Sequence, residues 1–326
     1  MKLSVVIPVL NEASNIHRLR DELQKQLDAL SLDFELIFVD DGSTDESADR
    51  IRELHQADPR VKLLSFSRNF GHQVALTAGM DHASGEATIV MDADLQHPPA
   101  VIPELVTRWK EGYEVVYTVR RSTLEAGFFK RTTAAVFYRL FRGLSGLDLP
   151  SNAADFRLLD RKVVEAFRGI RERTRFLRGL TAWAGYRTIA VPYDAPARQA
   201  GESKYSAGQM ARLATDALVS FSTIPLHVAI YLGFSLAALG FLYALYALYQ
   251  RLVTGDVLPG WASLAVLVSV VGGIQLMLMG VIGIYLGKIY EEVKRRPLYL
   301  VRSALGLDVS GPARREAPRK EPASRG

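Results

Sequence analysis

Short apolar runs alternate with amphipathic stretches along the first two hundred residues. The runs are LSVVIPVL at Leu3–Leu10, ELIFVDD at Glu35–Asp41, VKLLSFS at Val61–Ser67 and TIVMDAD at Thr88–Asp94. The stretches between them reach to Leu30, run through Leu54 and cross Val74–Ala83. Strands that stay apolar on successive residues are buried on both faces, so the rhythm predicts βαβαβαβ: an α/β domain with a mostly parallel sheet and helices on either side. Ligands of such sheets sit beyond the carboxyl ends of the strands. The polar clusters fall there: Asn11-Glu12, Asp40-Asp41, Arg68-Asn69 and Asp92-Ala93-Asp94. Ser43, Thr44 and Asp45 read instead as turn and helix-cap residues.

The pattern changes after residue 225. Val228–Tyr249 and Ala262–Gly287 carry no charged residue, and a helix needs about 20 residues to cross a hydrocarbon core. Both read as transmembrane helices, with Tyr246, Tyr249, Trp261 and Tyr285 near their ends as interfacial aromatics. Lys288, Lys294, Arg295 and Arg296 follow the second span, and the positive-inside rule puts the N-terminal domain and the tail in the cytoplasm, beneath a cell membrane crossed twice. The division expected is 1–205 for the α/β domain, 206–227 for a juxtamembrane interfacial segment, 228–290 for two spans and a short external loop, and 291–326 for a basic, partly disordered tail. A further stretch, AGFFKRTTAAVFYRLFRGL, sets Phe129, Val136, Phe137, Leu140 and Leu144 at helical spacing beside Lys130, Arg131, Arg139 and Arg142. It suits a phosphate-rich headgroup surface.

Composition narrows the chemistry. No cysteine occurs among the 326 residues, which excludes a disulfide framework, a thiolate nucleophile and cysteine-ligated zinc. The net charge of +5 gathers beside the membrane segments without a recognisable nucleic-acid motif, so the anionic partner expected is lipid, not nucleic acid. In DADLQHPP, Asp92, Asp94 and Gln96 make a compact oxygen-rich cluster at a strand end. Such a cluster suits Mg²⁺ or Mn²⁺ bridging a diphosphate better than zinc.

The ordered set VVIPVLNE, VDDGSTDES, SRNFGHQVALTAGM and VMDADLQHPP resembles the family-two glycosyltransferases of glycosyltransferase-A fold. It is similar in particular to the polyprenyl-phosphate branch that includes dolichol-phosphate mannose synthase and the bactoprenol glucosyltransferases. DFRLLDRKV, RFLRGL, ARQAGESKY and GIYLGKIYEEVKRRPLY extend the resemblance over nearly the whole chain. It implies transfer of a hexose, glucose first, from a nucleotide-sugar, UDP-linked first, to undecaprenyl or another polyprenyl phosphate, with inversion. It implies that Pro8, Asn11, Glu12 and Asp41 hold the nucleoside, with Asp40 sharing that role. Asp92 would face the sugar or ribose, and Asp94 with Gln96 would bind Mg²⁺ or Mn²⁺. Arg198, Ser203 and Lys204 would belong to a mobile loop over the diphosphate, Arg198 offsetting the leaving group's charge. Arg120, Arg121 and Arg131 would take the acceptor phosphate.

Asp155 falls where the family has an acidic residue near the acceptor, usually assigned as general base. A phosphate monoester with a second pKa near 6 is already mostly an anion at neutral pH and needs little deprotonation, so Asp155 is expected to orient or stabilise more than to abstract, with the role of base left open. SNAADFR departs from the glycine-containing family version, which leaves the sugar open between glucose, mannose, galactose and modified sugars. The membrane region is expected to assemble, with a tetramer as the working guess. His72 and His97 receive no role. A processive synthase is disfavoured by the two spans and the missing Gln-x-x-Arg-Trp motif; a non-catalytic scaffold is disfavoured by the presence of both Asp94 and Gln96.

Overall fold

The computed structural model describes residues 1–121, 153–173, 175–194, 224–249, 252–253 and 260–308. In chain order the elements before residue 195 are β1 (Lys2–Val9), α1 (Ala13–Ala29), β2 (Asp33–Asp40), α2 (Ser47–Ala57), β3 (Val61–Phe66), α3 (His72–His82), β4 (Ala87–Val90), a 3-10 turn (Pro99–Val101), α4 (Ile102–Lys110), β5 (Val115–Arg120), β6 (Ala153–Asp160), α5 (Arg161–Gly169), α6 (Leu177–Trp183) and β7 (Thr188–Tyr193). Two long helices follow, α7 (Ile224–Tyr249) and α8 (Trp261–Val293), and then a last strand, β8 (Val301–Leu305).

The eight strands form one sheet in the order β7-β5-β6-β4-β1-β2-β3-β8. β1 to β4 are mutually parallel where they pair, with Val5 opposite Leu36 on one side and Ile89 on the other. β6 runs against both β4 and β5, β7 is parallel to β5, and β8 runs against β3. The apolar runs of the sequence are therefore strands buried on both faces, as in Leu3, Val5, Val6 and Ile7, none of which is exposed. α1 covers one face because Ile16, Leu19, Leu23 and Leu27 recur at three- and four-residue steps and are all fully buried. Each such side chain contributes roughly 1.5–3 kcal/mol. α3 lies so close to β1 that a Cβ on Gly79 would stand 2.1 Å from Val6 Cγ1.

β8 corrects the sequence reading, which gave everything from residue 291 onward to a tail. Four pairs join it to β3, from Leu63↔Leu305 to Phe66↔Val301, and Tyr299 just before it is buried. The sheet thus takes strands from both sides of the α7–α8 pair. Windows within those helices, Leu226–Tyr246 and Val270–Val293, have mean hydropathies of 2.0 and 1.9 and bury none of their residues. They are long and apolar enough to cross a membrane, and membership of β1–β7 and β8 in one sheet requires both flanks to lie on the same face of any bilayer they cross.

The amino edge of the sheet is pinned by one carboxylate. Glu35, 1% exposed, accepts from Ser4 Oγ at 2.6 Å and Ser84 N at 2.7 Å, while Lys62 Nζ and Lys2 Nζ stand 2.7 and 3.1 Å from its other oxygen. Burial alone would raise its pKa, but the lysines and hydrogen bonds win and lower it from 4.5 to about 2. A folded pKa below the unfolded one is worth about 3 kcal/mol here, fully present above the unfolded value and lost as pH falls through the folded one. Glu35→Gln should therefore lower the thermal midpoint of the detergent-solubilised chain by several degrees at pH 7. The gap to wild type should narrow between pH 4.5 and about 2, and melts across that range check it.

Candidate active site

Strand direction decides which residues meet. β1, β2, β3 and β4 end at one edge, and because β6 runs backward its amino end, with Asp155, arrives at the same edge. β5 and β7 end there too, bringing Arg120 and Tyr193.

The turns after β1 and β2 are laced together. Asn11, held at φ 57°, accepts from Thr44 N at 2.8 Å and donates its own N–H to Ser43 Oγ at 3.1 Å. Glu12 N donates to Ser47 Oγ, and Asp45 accepts from Ala13 N and Ser47 N. Ser43, Thr44 and Asp45 thus act as turn residues, as expected, while the N-cap position of α2 falls to Glu46, whose side chain makes no capping hydrogen bond. Pro8 lies buried in β1 beside Val39, and Asp40 accepts from Ser43 N at 2.8 Å.

Asp41 is turned toward a loop. Its Oδ1 accepts from Phe70 N at 2.6 Å and its Oδ2 from Gly71 N at 2.9 Å. Burial raises its pKa, with Asp40 adding to the effect against the pull of those amides. Gly42, at φ +79°, is required next to it, since a Cβ there would stand 2.7 Å from Arg68 C and Asn69 N. The clamped loop leads into α3, whose first two residues reach two other strands. His72 Nε2 lies 3.3 Å from Asp92 Oδ1, and Gln73 Nε2 donates to Asp155 Oδ2 at 3.4 Å. One loop and one helix start therefore connect Asp41, Asp92 and Asp155.

The DADLQH turn carries Leu95 at φ 59°. This left-handed conformation is costly for a branched side chain, by about 1–2 kcal/mol, and here the side chain packs against the core. Asp92 N donates to His97 Nδ1 at 2.9 Å; His97, stacked 5.3 Å from Phe156, is buried, and burial pushes its pKa down, as befits a neutral ring accepting at Nδ1. Asp94 Oδ1 accepts from Gln96 N at 3.1 Å, and Gln96 Oε1 accepts from Arg120 Nη2 at 2.7 Å. Arg120 Nε also donates to Tyr193 Oη at 3.0 Å. Asp92 Oδ1 is buried and accepts no hydrogen bond. No group of three His, Asp or Glu side chains poised for a metal occurs among the described residues. A buried carboxylate oxygen that accepts no hydrogen bond, with His72 Nε2 3.3 Å away and a second carboxylate two residues on, fits Mg²⁺ or Mn²⁺, ions held by one or two protein carboxylates and completed by substrate phosphate.

Asp155 sits in a cradle of cations. Arg178 grips it with Nε at 2.8 Å and Nη2 at 3.0 Å, and Arg157 Nη2 stands 3.3 Å away. Burial works to raise its pKa, yet the two guanidiniums hold it well below the usual carboxylate range. Arg157 is itself buried, which pushes it down to about 10, and it donates to Thr181 Oγ1 and Ala154 O. Gln73 completes the cradle, its Oε1 accepting from Leu177 N at 3.1 Å. Arg157, Arg178, Gln73 and Tyr193 were missed as site residues, although Arg157 and Arg178 stand in the DFRLLDRKV and RFLRGL stretches. Arg121 lies at the edge and pairs with exposed Asp194 at 3.4 Å. Arg131, Arg198, Ser203 and Lys204 lie outside the described residues.

A mostly parallel sheet with one reversed strand delivering an acid to its carboxyl edge, opposite an Asp-x-Asp turn, is a glycosyltransferase-A arrangement. The chain belongs to glycosyl transferase family 2, whose model matches residues 4–168. The glycosyltransferase YkcC of Bacillus subtilis is 46% identical over 308 residues, 94% of this chain and 95% of that one. The bactoprenol glucosyl transferase of Shigella phage SfII is 40% identical over 304 residues, 93% and 98% of the two chains. Among solved structures, glucosyl-3-phosphoglycerate synthase of Mycobacterium tuberculosis matches at 24% identity and a TM-score of 0.44 over 67% of this chain and 77% of that one.

The cradle makes a specific demand on pH dependence. With Arg178 in place, the Asp155 carboxyl is held below the usual carboxylate range, and wild type should show no acid limb from it where free carboxylates titrate. Arg178→Gln removes the stronger of its two partners, so burial should raise the Asp155 pKa and a new acid limb should enter the pH–rate profile of sugar transfer. Superimposable profiles for wild type and variant would show that the pair does not control this carboxylate.

Proposed function

We propose that the protein transfers glucose from UDP-glucose to undecaprenyl phosphate, the bactoprenol carrier, with inversion at the anomeric carbon, on the cytoplasmic face of a cell membrane that α7 and α8 cross. The observation that carries this reading is the meeting of Asp41, Asp92 and Asp155 around the start of α3, at an edge where arginines also converge. The bactoprenol glucosyl transferase of phage SfII, alike over 93% of this chain, supports the choice of sugar and lipid.

On this reading the nucleoside lies over Pro8, Asn11, Glu12 and Asp40. Asp41 shapes that pocket through the loop it clamps rather than by touching the base. Asp92 faces the sugar. Asp94 and Asp92 would hold Mg²⁺ or Mn²⁺, with Gln96 beside them tethered to Arg120; when bound, the ion offsets charge on the departing diphosphate. Arg120 and Arg121 receive the acceptor phosphate, since guanidinium forks match phosphate oxygens, and Arg131 joins them. Arg198, Ser203 and Lys204 cover the diphosphate.

The reaction forms a bond from a phosphate oxygen of the lipid to the anomeric carbon and breaks that carbon's bond to the diphosphate, whose oxygen keeps the electron pair. No proton has to be removed from an acceptor already ionised near neutrality. Asp155, locked as an anion by Arg178 and Arg157, fits a fixed counter-charge that orients those guanidiniums toward an incoming phosphate.

The test incubates the detergent-solubilised full chain with undecaprenyl phosphate, Mg²⁺ or Mn²⁺ and labelled UDP-glucose, GDP-mannose or UDP-galactose, following label in the lipid fraction. Glucose from UDP-glucose should transfer, and Asp94→Ala should lower the rate by about a hundredfold or more, the scale of losing one electrostatic stabiliser. Transfer of mannose or galactose alone would correct the donor. Nucleotide binding without transfer of any sugar would overturn the reading.

A further inference from the structure

The loop that Asp41 clamps is gripped from its other side by the chain that emerges from the second apolar helix. Phe66, at the end of β3, is stacked on Tyr299 at 5.1 Å between ring centroids and 21° between planes, and meets Phe70 edge-on at 5.6 Å. Tyr299 is buried, and its hydroxyl donates to Asp81 at 3.0 Å near the end of α3. Ser67 N donates to Leu300 O at 2.9 Å, and Arg302 Nη2 donates to Ser67 O at 2.7 Å. Residues 67–71 therefore run between the Asp41–Gly42 turn on one side and residues 299–302 on the other.

We infer that the segment after the second apolar helix is a positioning element of the donor site, with Tyr299 as its anchor and Arg302 as its second tie. The inference rests on the proposed function for the identity of the donor. What makes it more than edge-strand packing is where the loop leads. Its Phe70 and Gly71 amides donate to Asp41, and the next two residues, His72 and Gln73, contact Asp92 and Asp155. A side chain that fixes the loop fixes the start of α3, and with it three carboxylates at the ends of three strands. Tyr299 follows the last residue of α8, Val293, by six positions, so the contacts to the loop come from the chain that directly follows the second apolar helix. The far end of β8 has no such route: Leu305 pairs with Leu63 at the opposite end of the strand pair.

The experiment titrates UDP, with Mg²⁺ present, into full-length wild type, Tyr299→Ala, Tyr299→Phe, Arg302→Ala and Leu305→Ala in nanodiscs. Thermal midpoints and the separate KM values for donor and acceptor are recorded in parallel. Tyr299→Ala should weaken UDP binding by about five- to tenfold and raise the donor KM in step while the acceptor KM holds, the range expected when a remote side chain biases a site. Tyr299→Phe keeps the stacking and should stay within about twofold of wild type, whereas Arg302→Ala should weaken UDP by a few-fold. Leu305→Ala should lower the thermal midpoint and leave UDP affinity alone. Unchanged UDP affinity in Tyr299→Ala overturns the inference and leaves the proposed function standing. Equal losses in Tyr299→Ala and Leu305→Ala overturn it as well, by making the effect one of general stability. If Tyr299→Ala does not fold, Arg302→Ala decides, and wild-type affinity in that variant overturns the inference. Failure of wild type itself to bind UDP overturns both readings together.

Discussion

The acceptance of the Phe70 and Gly71 amides by Asp41 is the interaction on which the candidate site hangs. A buried carboxylate is stable only when its oxygens find donors, and here the donors belong to the loop that starts α3. Satisfying Asp41 therefore fixes where α3 begins, which fixes His72 against Asp92 and Gln73 against Asp155. Gly42 is part of the same constraint, because any side chain at that position would displace the Arg68–Asn69 backbone. The three acids come from the turns after β2 and β4 and from β6, and no direct hydrogen bond between the three carboxylates is needed to keep them in register.

The second constraint is the direction of β6. A purely parallel sheet would carry Asp155 to the amino edge, where Glu35 and its lysines sit. Running against β4 and β5, β6 instead opens at the carboxyl edge. The two ends of the sheet then hold their buried acids differently. Glu35 is ringed by lysines and serines from the first residues of neighbouring strands and only holds the edge together. Asp155 is partly open, and its cations come from its own strand and from α6, which leaves one face of the cradle toward the site.

Much of this was legible in the sequence because it is local. The strands read as strands since they are apolar on successive residues, and DADLQH reads as an oxygen-donor turn since all its donors lie within five positions. What was not legible depends on partners far along the chain. Arg178 and Asp155 are 23 residues apart and meet only because β6 is reversed and α6 folds back over it. The partners of Asp41 were hidden too, because nothing in VDDGSTDES reveals that Phe70 and Gly71, 29 and 30 residues on, donate to its oxygens. β8 escaped for another reason: VRSAL is short, half-buried and preceded by a basic run, so its pattern carries little to set it apart from tail.

β8 also bears on what the chain does after its two apolar helices. A lipid-borne acceptor cannot leave the bilayer, so a transferase that uses one gains by holding its site within reach of the headgroups. The chain that follows the second apolar helix ends inside the sheet: residues 299–302 grip the loop that Asp41 holds from the other side. The edge strand that looks like an appendage is therefore joined, through Ser67 and Phe66, to the loop that carries the start of α3.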